Sequence, residues 1–233
     1  MSLFKRTQIN IYLPTARFFV SLFWITAIGG LICLCLWPAD GSAREASADQ
    51  YCMRRLHDLS KAILAYKAEH GELPQSVVGP NGHRQSWRLL LDDLRYVQSD
   101  LYRPDEAWDS AKNLEAIHEM RAAFAFQCRV ATTWDLDNPF TSFVMLVRPG
   151  GNWQADLRPK AVLIVESQWS GIHLAEPRDL EIEAVFSAHH PFGVTRLYSA
   201  HEGFVRAICM DGSIIEIPTD LSKQELRDVL EGR

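Results

Sequence analysis

An uninterrupted apolar run near the N-terminus constrains the fold of this chain most strongly. Residues 18–37 read FFVSLFWITAIGGLICLCLW and contain no charge. A helix rises about 1.5 Å per residue, so a helical run of this length matches the roughly 30 Å hydrocarbon core of a bilayer. The run therefore predicts a transmembrane helix over residues 18–37. A cleaved signal peptide is the alternative, because small residues follow at 39–43, but the run exceeds the usual length of such a peptide's apolar core.

The charges on either side of this run predict the orientation of the chain. Residues 1–17 carry three cationic and no acidic residues, whereas residues 38–49 carry three acidic residues and one Arg. Cationic flanks favour the cytoplasmic side of a membrane. We therefore expect residues 1–17 to be cytoplasmic, residues 38–48 to form a polar, helix-breaking connector, and residues 49–233 to form one exported domain.

The overall composition excludes some classes of function. The 233 residues are 47% hydrophobic and 23% charged, with a formal net charge of -5, which is ordinary for a folded domain. Basic residues are scattered among acidic ones, so we expect no nucleic-acid partner. No C-x-x-C pair and no Cys/His cluster of known zinc-binding spacing occurs, so we expect no metal and no other cofactor.

Helical patterns dominate the first part of the exported domain. Apolar residues recur every three to four positions from Tyr51 to a stop signal at Gly71, and similar patterns cover residues 86–97 and about 111–126. A last helix is expected over residues 219–231, where Ser222 and Glu225 have the spacing of a capping box.

Strand-like patterns dominate the later part. From Thr141 onward the apolar runs are short, rich in β-branched residues and bounded by turn residues; they read SFVMLV, KAVLIVES, EAVFS, FVRAICM and SIIEIP. Helices first and strands later predict an α+β fold with an antiparallel β-sheet and a C-terminal helix.

Residues 201–213, HEGFVRAICMDGS, predict a β-hairpin. Asp211-Gly212 between two apolar runs is a strong signal for a two-residue turn that needs positive φ at both positions, and such a turn pairs Ile208 with Ile215. In a straight hairpin His201 would lie roughly 33 Å from Asp211, so the two residues cannot share a proton or a metal. We interpret His201, Asp211 and Gly212 as scaffold, with the foot of the hairpin beside the start of the last helix.

Three cysteines lie in the predicted exported domain: Cys52, Cys128 and Cys209. Disulfides persist outside the cytoplasm, so one reading is a disulfide between two of the three with one free thiol. The other reading is three buried, unpaired cysteines, because free cysteine is among the most buried residue types.

Several short motifs follow one another in an order known from a bacterial family. They are SWRLLLDDL with Trp87, EAWDSAKN with Trp108, Asp109 and Asn113, AVLIVES with Glu166, EPRDL with Glu176 and Asp179, and His201 followed after nine residues by Asp211-Gly212. Together with LSKAILAYKAEHGELP, these segments resemble the domain-of-unknown-function family 1559, described as prepilin-type processing-associated H-x(9)-DG. The resemblance covers about residues 50–217.

The resemblance implies a pilin-like or pseudopilin-like bacterial envelope protein without an assigned biochemical activity. Its N-terminal helix would cross the inner membrane once and carry an exported pilin-like head, with the membrane and other pilin-like or secretion-type proteins as partners. One departure stands out. Prepilins have Gly followed by Phe-Thr-Leu-Ile-Glu at the cleavage site, whereas residues 13–24 here read LPTARFFVSLFW.

Two other functional classes are weighed against a structural or assembly role. A membrane-tethered module that binds an extracellular polymer would use aromatic rings as a platform, and the candidates are Trp87, Trp108, Trp134, Trp153 and Trp169. We expect most of these to be core.

The third class is an envelope enzyme. Glu166, at the end of an apolar strand, would be its candidate carboxylate, and His189-His190 with His201 or Glu183 its candidate metal ligands. We favour the plainer interpretations, a loop-organising carboxylate and solvated histidines, and so expect no catalytic residue.

Overall fold

The structure is a computed structural model of the chain. It describes residues 16–91, 101–119, 128, 140–148, 157–167, 170–186, 197, 199 and 201–233, except for the side chains of residues 16–18, 34–45, 77 and 119. The chain divides into two compact units, Met1–Glu45 and Ala46–Arg233.

Helix α1, Ala16–His70, includes the segment that was expected to interrupt it. Residues 38–48 are helical, so the prediction of a helix-breaking connector is wrong. Pro38 and Gly41 disfavour a helix, but the adjoining AREASA at 43–48 consists mostly of strong helix formers. Local propensity therefore favours the helix over most of this segment.

In the first unit, α1 carries the apolar run. Large apolar side chains between residues 19 and 33 are 49% to 67% exposed. Among the described residues, no helix combines the length and the hydropathy that a bilayer crossing requires. The side chains of residue 18 and of residues 34–37 lie outside the description, and the predicted span over 18–37 stays a prediction.

The second unit contains the α+β fold. Its further helices are a 3₁₀ helix at Trp87–Leu90, α2 at Ala111–Glu119, α3 at Ile182–Val185 and α4 at Lys223–Glu231. Its strands are β1 at Val77–Val78, β2 at Arg84–Gln85, β3 at Phe143–Val147, β4 at Val162–Glu166, β5 at Leu180–Glu181, β6 at Phe204–Cys209 and β7 at Ile214–Pro218.

The α+β class is confirmed, but the main sheet is mixed rather than antiparallel. Its order is β5-β3-β4-β6-β7. Four of the strands are antiparallel neighbours, whereas the edge strand β5 pairs parallel to β3, with Leu146 opposite Leu180. Parallel neighbours need a long crossover connection, and β4 with the segment after it supplies that connection. Strands β1 and β2 form a separate antiparallel pair.

The main sheet is covered on both faces. On one face Phe143 and Met145 belong to the same buried cluster as the apolar face of α1, which consists of Cys52, Leu56, Leu59 and Ile63. On the other face Val144 and Leu146 cluster with buried residues of α3 and α4, namely Ile182, Val185, Leu226 and Leu230. Because successive strand residues point to opposite faces, covering both faces explains why β3 and β4 read as continuous apolar runs.

The hairpin β6–β7 forms as predicted, but its turn and register differ. Ile208 lies opposite Ile214 rather than Ile215. The loop contains three residues, because Cys209 N–H donates to the Ser213 carbonyl at 2.8 Å and Gly212 N–H donates to the Cys209 carbonyl at 2.9 Å. Gly212 closes the loop with a φ of 81°, a left-handed conformation typical of such loops.

Hydrogen bonds to the segment just before β4 explain why the loop is one residue longer than predicted. The N–H groups of Met210 and Asp211 each donate over 2.9 Å to carbonyls of Ala161 and Pro159, just before β4. A two-residue turn would shift the pairing of Met210 and Asp211 with this segment. The pairing is a long-range interaction, so the local Asp-Gly sequence could not predict it.

Two of the local predictions need correction. The helix expected over residues 86–97 is present as the 3₁₀ helix Trp87–Leu90, and residues 92–97 lie outside the described part. The run EAVFS was expected to be a strand, but it contains the end of α3. One helical turn places the buried Ile182 and Val185 on the same face, which a strand would not do.

The prediction of the C-terminal helix is confirmed for residues 223–231, whereas residues 219–222 precede the helix. In α4, Ser222 accepts a hydrogen bond from the Glu225 N–H, and the Glu225 carboxylate accepts one from the Ser222 N–H. For the third predicted helix, α2 confirms residues 111–119, and residues 120–126 lie outside the described part.

Candidate functional site

A cluster of polar side chains lies where the foot of the β6–β7 hairpin meets α1 and the end of β4. We call it the foot cluster, and its members are Asp49, Glu166, His201, Arg206 and Glu216. The side chains of Glu166, His201 and Arg206 are at most 8% exposed, whereas Asp49 and Glu216 reach solvent. Charged residues are rarely buried without partners, so the contacts of this cluster indicate what it does.

Glu166, the last residue of β4, is completely buried. Neither of its carboxylate oxygens accepts a hydrogen bond of ordinary geometry from a described residue. Burial raises the pKa of Glu166 to about 7, and the Ser199 hydroxyl and the amide and guanidinium of Arg206 only partly oppose this effect. Burial therefore favours the protonated form of Glu166 far more than it does for an ordinary carboxyl.

His201 lies between Glu166 and α1. Its Nδ1 is 3.4 Å from Oδ1 of Asp49, and its Nε2 is 3.8 Å from Oε1 of Glu166. Nη1 of Arg206 lies 3.3 Å from Nε2. Since a guanidinium can only donate, we assign Nε2 as the acceptor and Nδ1 as the protonated nitrogen facing Asp49. Burial, followed by the charge of Arg206, lowers the pKa of His201, which favours this neutral form.

Arg206 connects three elements. Its Nη2 is 2.5 Å from Oδ1 of Asp49 in α1 and 3.2 Å from Oε1 of Glu216 in β7. Its Nε also donates to Glu216 at 3.2 Å. The buried guanidinium therefore has two carboxylate partners, and it joins α1 to the edge of the sheet.

A disulfide lies beside the foot cluster. The structure joins Cys52 of α1 to Cys128 and leaves Cys209 as a buried free thiol, whose pKa burial raises. Sγ of Cys128 is 3.4 Å from Nε2 of His201. Of the two readings of the cysteines, the structure thus has the one with a single disulfide and a free thiol.

The tip of the hairpin also contacts α1. The Gly212 carbonyl accepts a hydrogen bond of 2.8 Å from the hydroxyl of Ser60. A Cβ at position 212 would lie 2.4 Å from Cδ1 of Leu64. Asp211 points elsewhere: its ion pair with Lys160 measures 2.7 Å, and this pairing, together with hydrogen bonds from Ser213, lowers the pKa of Asp211 to about 2.

The structure places the two ends of the H-x(9)-DG motif at two points of one helix. His201 lies beside Asp49, and Gly212 bonds Ser60. These two helical residues are eleven positions apart, or about 16 Å along the axis. The sequence-based estimate of roughly 33 Å assumed that the chain is extended from His201 to Asp211, whereas only the six residues of β6 are extended between the two ends. His201 and Asp211 have different partners, and the two ends of the motif contact α1 at Asp49 and at Ser60.

A second buried ion pair joins two of the quoted motifs. Nη2 of Arg88, in the SWR motif, is 2.6 Å from Oδ1 of Asp179, in the EPRDL motif, and the side chains are 0% and 6% exposed. Asp179 also accepts hydrogen bonds from Nε1 of Trp87 at 2.8 Å and from the Met145 N–H at 3.0 Å. Burial raises the pKa of Asp179, and Arg88 acts against that shift. These contacts hold the 3₁₀ helix and the segment before β5 against β3.

The other motif residues have local structural contacts. Asn113 is buried; its side chain accepts from the Arg103 N–H and donates to two backbone carbonyls. Glu176 accepts from the His173 N–H and pairs with Arg178. Trp108 packs on the ring of His173 with centroids 5.4 Å apart, and Asp109 is exposed.

Some predicted residues lie outside the described part of the chain: Trp134, Trp153, Trp169, His189 and His190. Of the tryptophans with described surroundings, Trp87 is fully buried, so this ring belongs to the core.

Sequence reasoning missed Asp49, Arg206 and Glu216 as members of the foot cluster. The available signal was Arg206, a charged residue inside the apolar run FVRAIC. Its position in the middle of a buried strand indicates a partner, but the partner Asp49 is 157 residues away in the chain.

The foot cluster and the disulfide beside it offer groups for two kinds of chemistry, proton exchange and metal binding. Glu166 and His201 offer a buried acid and a neutral imidazole for proton exchange. The ligand atoms of Cys52, Cys128 and His201 lie within 4.8 Å of one another, which is a spacing suited to a metal ion once the sulfurs are unpaired.

Comparisons with protein-family models, with curated proteins and with solved structures found no match. The resemblance to the domain-of-unknown-function family 1559 therefore rests on the order of its motifs alone.

Proposed function

We propose that the chain is a single-pass, pilin-like protein of the bacterial envelope with a structural or assembly role. Residues 18–37 anchor it in the inner membrane, residues 1–17 are cytoplasmic, and the α+β unit lies outside. The observation that carries the proposal is that one helix, α1, bears both a charge-free apolar run and the apolar face that packs on the sheet.

The exposed apolar surface of the first unit supports membrane anchoring. Phe23, Trp24, Ile25 and Leu31 are each at least 59% exposed. Soluble proteins rarely leave a large continuous apolar patch in water. A lipid environment would remove that cost, and the charge-free length of residues 18–37 matches the thickness of the hydrocarbon core.

The contacts between α1 and the rest of the second unit favour a role for α1 as the support of the exported domain. Cys52 forms a disulfide, Asp49 pairs with Arg206, and Ser60 bonds Gly212. An anchor has to transmit force to the domain that it holds. A covalent bond, a buried ion pair and a hydrogen bond along one stretch of helix are suited to that task.

Thiol labelling of intact cells tests the anchoring. Cys33 is an exposed free cysteine in the apolar run, and Lys67 is exposed further along the same helix. We compare Cys35→Ser, in which Cys33 remains in the run, with a Cys33→Ser/Cys35→Ser/Lys67→Cys variant. A membrane-impermeant maleimide is expected to label Lys67→Cys without lysis, and to reach Cys33 only after detergent is added. Rapid labelling of both positions in intact cells would contradict anchoring.

Crosslinking tests the assembly role. With a thiol-reactive crosslinker that enters membranes, Cys33 is expected to form adducts with a second copy of the chain or with another envelope protein. The Cys33→Ser/Cys35→Ser variant is the matched control and should give none. A chain that is anchored but forms no adduct above this control would leave the anchor intact and reject the assembly role.

A further inference from the structure

The disulfide and His201 bring three potential ligand atoms close together. Sγ of Cys128 is 3.4 Å from Nε2 of His201, and the two sulfurs and this nitrogen all lie within 4.8 Å of one another. Zinc bonds sulfur at about 2.3 Å and imidazole nitrogen at about 2.0 Å. Two such ligands in a tetrahedral site stand about 3.5 Å apart, so the Cys128–His201 pair is already close to the required spacing.

Glu166 is a further potential ligand, next to His201. Its Oε1 is 3.8 Å from Nε2 of His201, and the side chain is completely buried. The Ser199 hydroxyl and the Arg206 amide lie close enough to oppose part of the effect of burial on its pKa, but among the described residues none makes a hydrogen bond of ordinary geometry to its oxygens. A buried carboxylate without such a bond is costly, and a cation would satisfy it.

We propose that Cys52, Cys128, His201 and Glu166 form a zinc site that opens and closes with the redox state of the two cysteines. In the disulfide form the sulfurs are bonded to each other and no ion is held. A dithiol reductant transfers two electrons and two protons to the S–S bond and itself becomes a disulfide. One Zn²⁺ then displaces the two thiol protons, which pass to solvent, and two S–Zn bonds form. The oxidation state of zinc does not change.

The surrounding charges suit such a site. Two thiolates, one carboxylate and Zn²⁺ sum to a charge of -1, and Arg206 is the cationic group beside them, while its carboxylate partners Asp49 and Glu216 reach solvent. Arg206 would give up its contact with Nε2 of His201 and keep its pairs with Asp49 and Glu216. Asp49 faces Nδ1 of His201 at 3.4 Å, which is the place where metal-binding histidines have an orienting carboxylate.

This inference goes beyond the proposed structural role and does not depend on membrane anchoring. It makes the disulfide and the metal two mutually exclusive ways of holding α1 against Cys128. A chain that has not yet been oxidised would hold the same contact through the ion.

Cobalt binding tests the proposal. The full-length chain carries Cys33→Ser and Cys35→Ser, which remove the two cysteines of the apolar run. It is reduced with a phosphine that does not bind the metal. One equivalent of Co²⁺ should give the visible absorption of tetrahedral thiolate coordination, and Zn²⁺ should displace it with an apparent Kd below about 1 µM. The unreduced chain should give no such absorption.

Variants identify the ligands. Cys52→Ser and His201→Ala should each weaken Co²⁺ binding at least about tenfold, and Glu166→Gln should do so to a similar degree. Cys209→Ser is the matched control, because Cys209 is also a buried thiol but lies outside the site, and it should bind as the parent does. Circular dichroism checks that each variant is folded.

Three results would overturn the proposal. One is the absence of thiolate absorption in the reduced parent. Another is equal binding by the oxidised and reduced chains. The last is unchanged binding by the Cys52→Ser variant and by the His201→Ala variant. If one of these two variants does not fold, the other alone decides the result.

Discussion

Asp179 is the residue whose removal should destabilise the second unit most clearly without touching the foot cluster. Asp179→Ala takes away the carboxylate partner of Arg88, whose side chain is 0% exposed. It also takes away the acceptor of the Trp87 indole and of the Met145 amide.

The expected cost follows from these contacts. Leaving one member of a buried ion pair without its partner typically costs about 3 to 5 kcal/mol, and each orphaned buried donor adds about 1 kcal/mol or more. Since these contributions overlap, we expect Asp179→Ala to lower the free energy of unfolding by about 4 kcal/mol. Replacing both partners, as Arg88→Met with Asp179→Leu, should cost less than Asp179→Ala alone, because no buried charge is then left.

Urea unfolding of the full-length chain, followed by tryptophan fluorescence and circular dichroism, measures these differences. Lys160→Ala is the matched control, because it also removes one member of an ion pair, but the side chain of Lys160 is 64% exposed. Exposed pairs contribute little, so the control should stay close to the parent. Equal, small losses for Asp179→Ala and Lys160→Ala would contradict a stabilising role of the Arg88–Asp179 pair at the sheet edge.

Three further perturbations test other parts of the structure. Folding raises the pKa of Glu166 to about 7, against 4.5 for an ordinary carboxyl. The folded chain therefore binds this proton more tightly than the unfolded chain does. The contribution of Glu166 to stability should therefore fall by about 3 kcal/mol as the pH rises from 4.5 to 8. Glu166→Gln with the disulfide intact should flatten this slope in urea titrations at both ends of the range, and an unchanged slope would contradict the buried carboxyl. Gly212→Ala should lose roughly 1 kcal/mol more than Gly203→Ala in the same assay, because both glycines have a φ of 81° but only at 212 would a Cβ meet Leu64; equal losses would argue against the contact of the hairpin tip with α1. Ser222→Ala should cost about 1 kcal/mol through loss of the capping box, with Ser222→Gly closer to the parent, and a cost-free Ser222→Ala would show that the cap does not stabilise α4.

Local signals predicted the elements that local forces determine. The capping box of Ser222 and Glu225 lies within one turn, and the hairpin follows from Asp-Gly between two apolar runs. Both form in the structure. The register of the hairpin was wrong by one residue, because hydrogen bonds from Met210 and Asp211 to the segment before β4 decide it.

The candidate site depends on distant parts of the chain. Cys52 and Cys128 are 76 residues apart, and Arg206 and Asp49 are 157 apart. No local pattern specifies such pairs. The parallel strand β5 was missed for a similar reason, since its two residues carry too little periodicity to be recognised and it forms only beside β3.

Intact mass of the native chain in the membrane fraction tests the central claim most directly. The account predicts a membrane-retained chain whose mass includes residues 18–37, because the apolar run serves as a permanent anchor. A shortened chain that begins after residues 39–43 and is found in the soluble fraction would contradict the account, since the run would then be a signal peptide and the α+β unit would act free of the membrane.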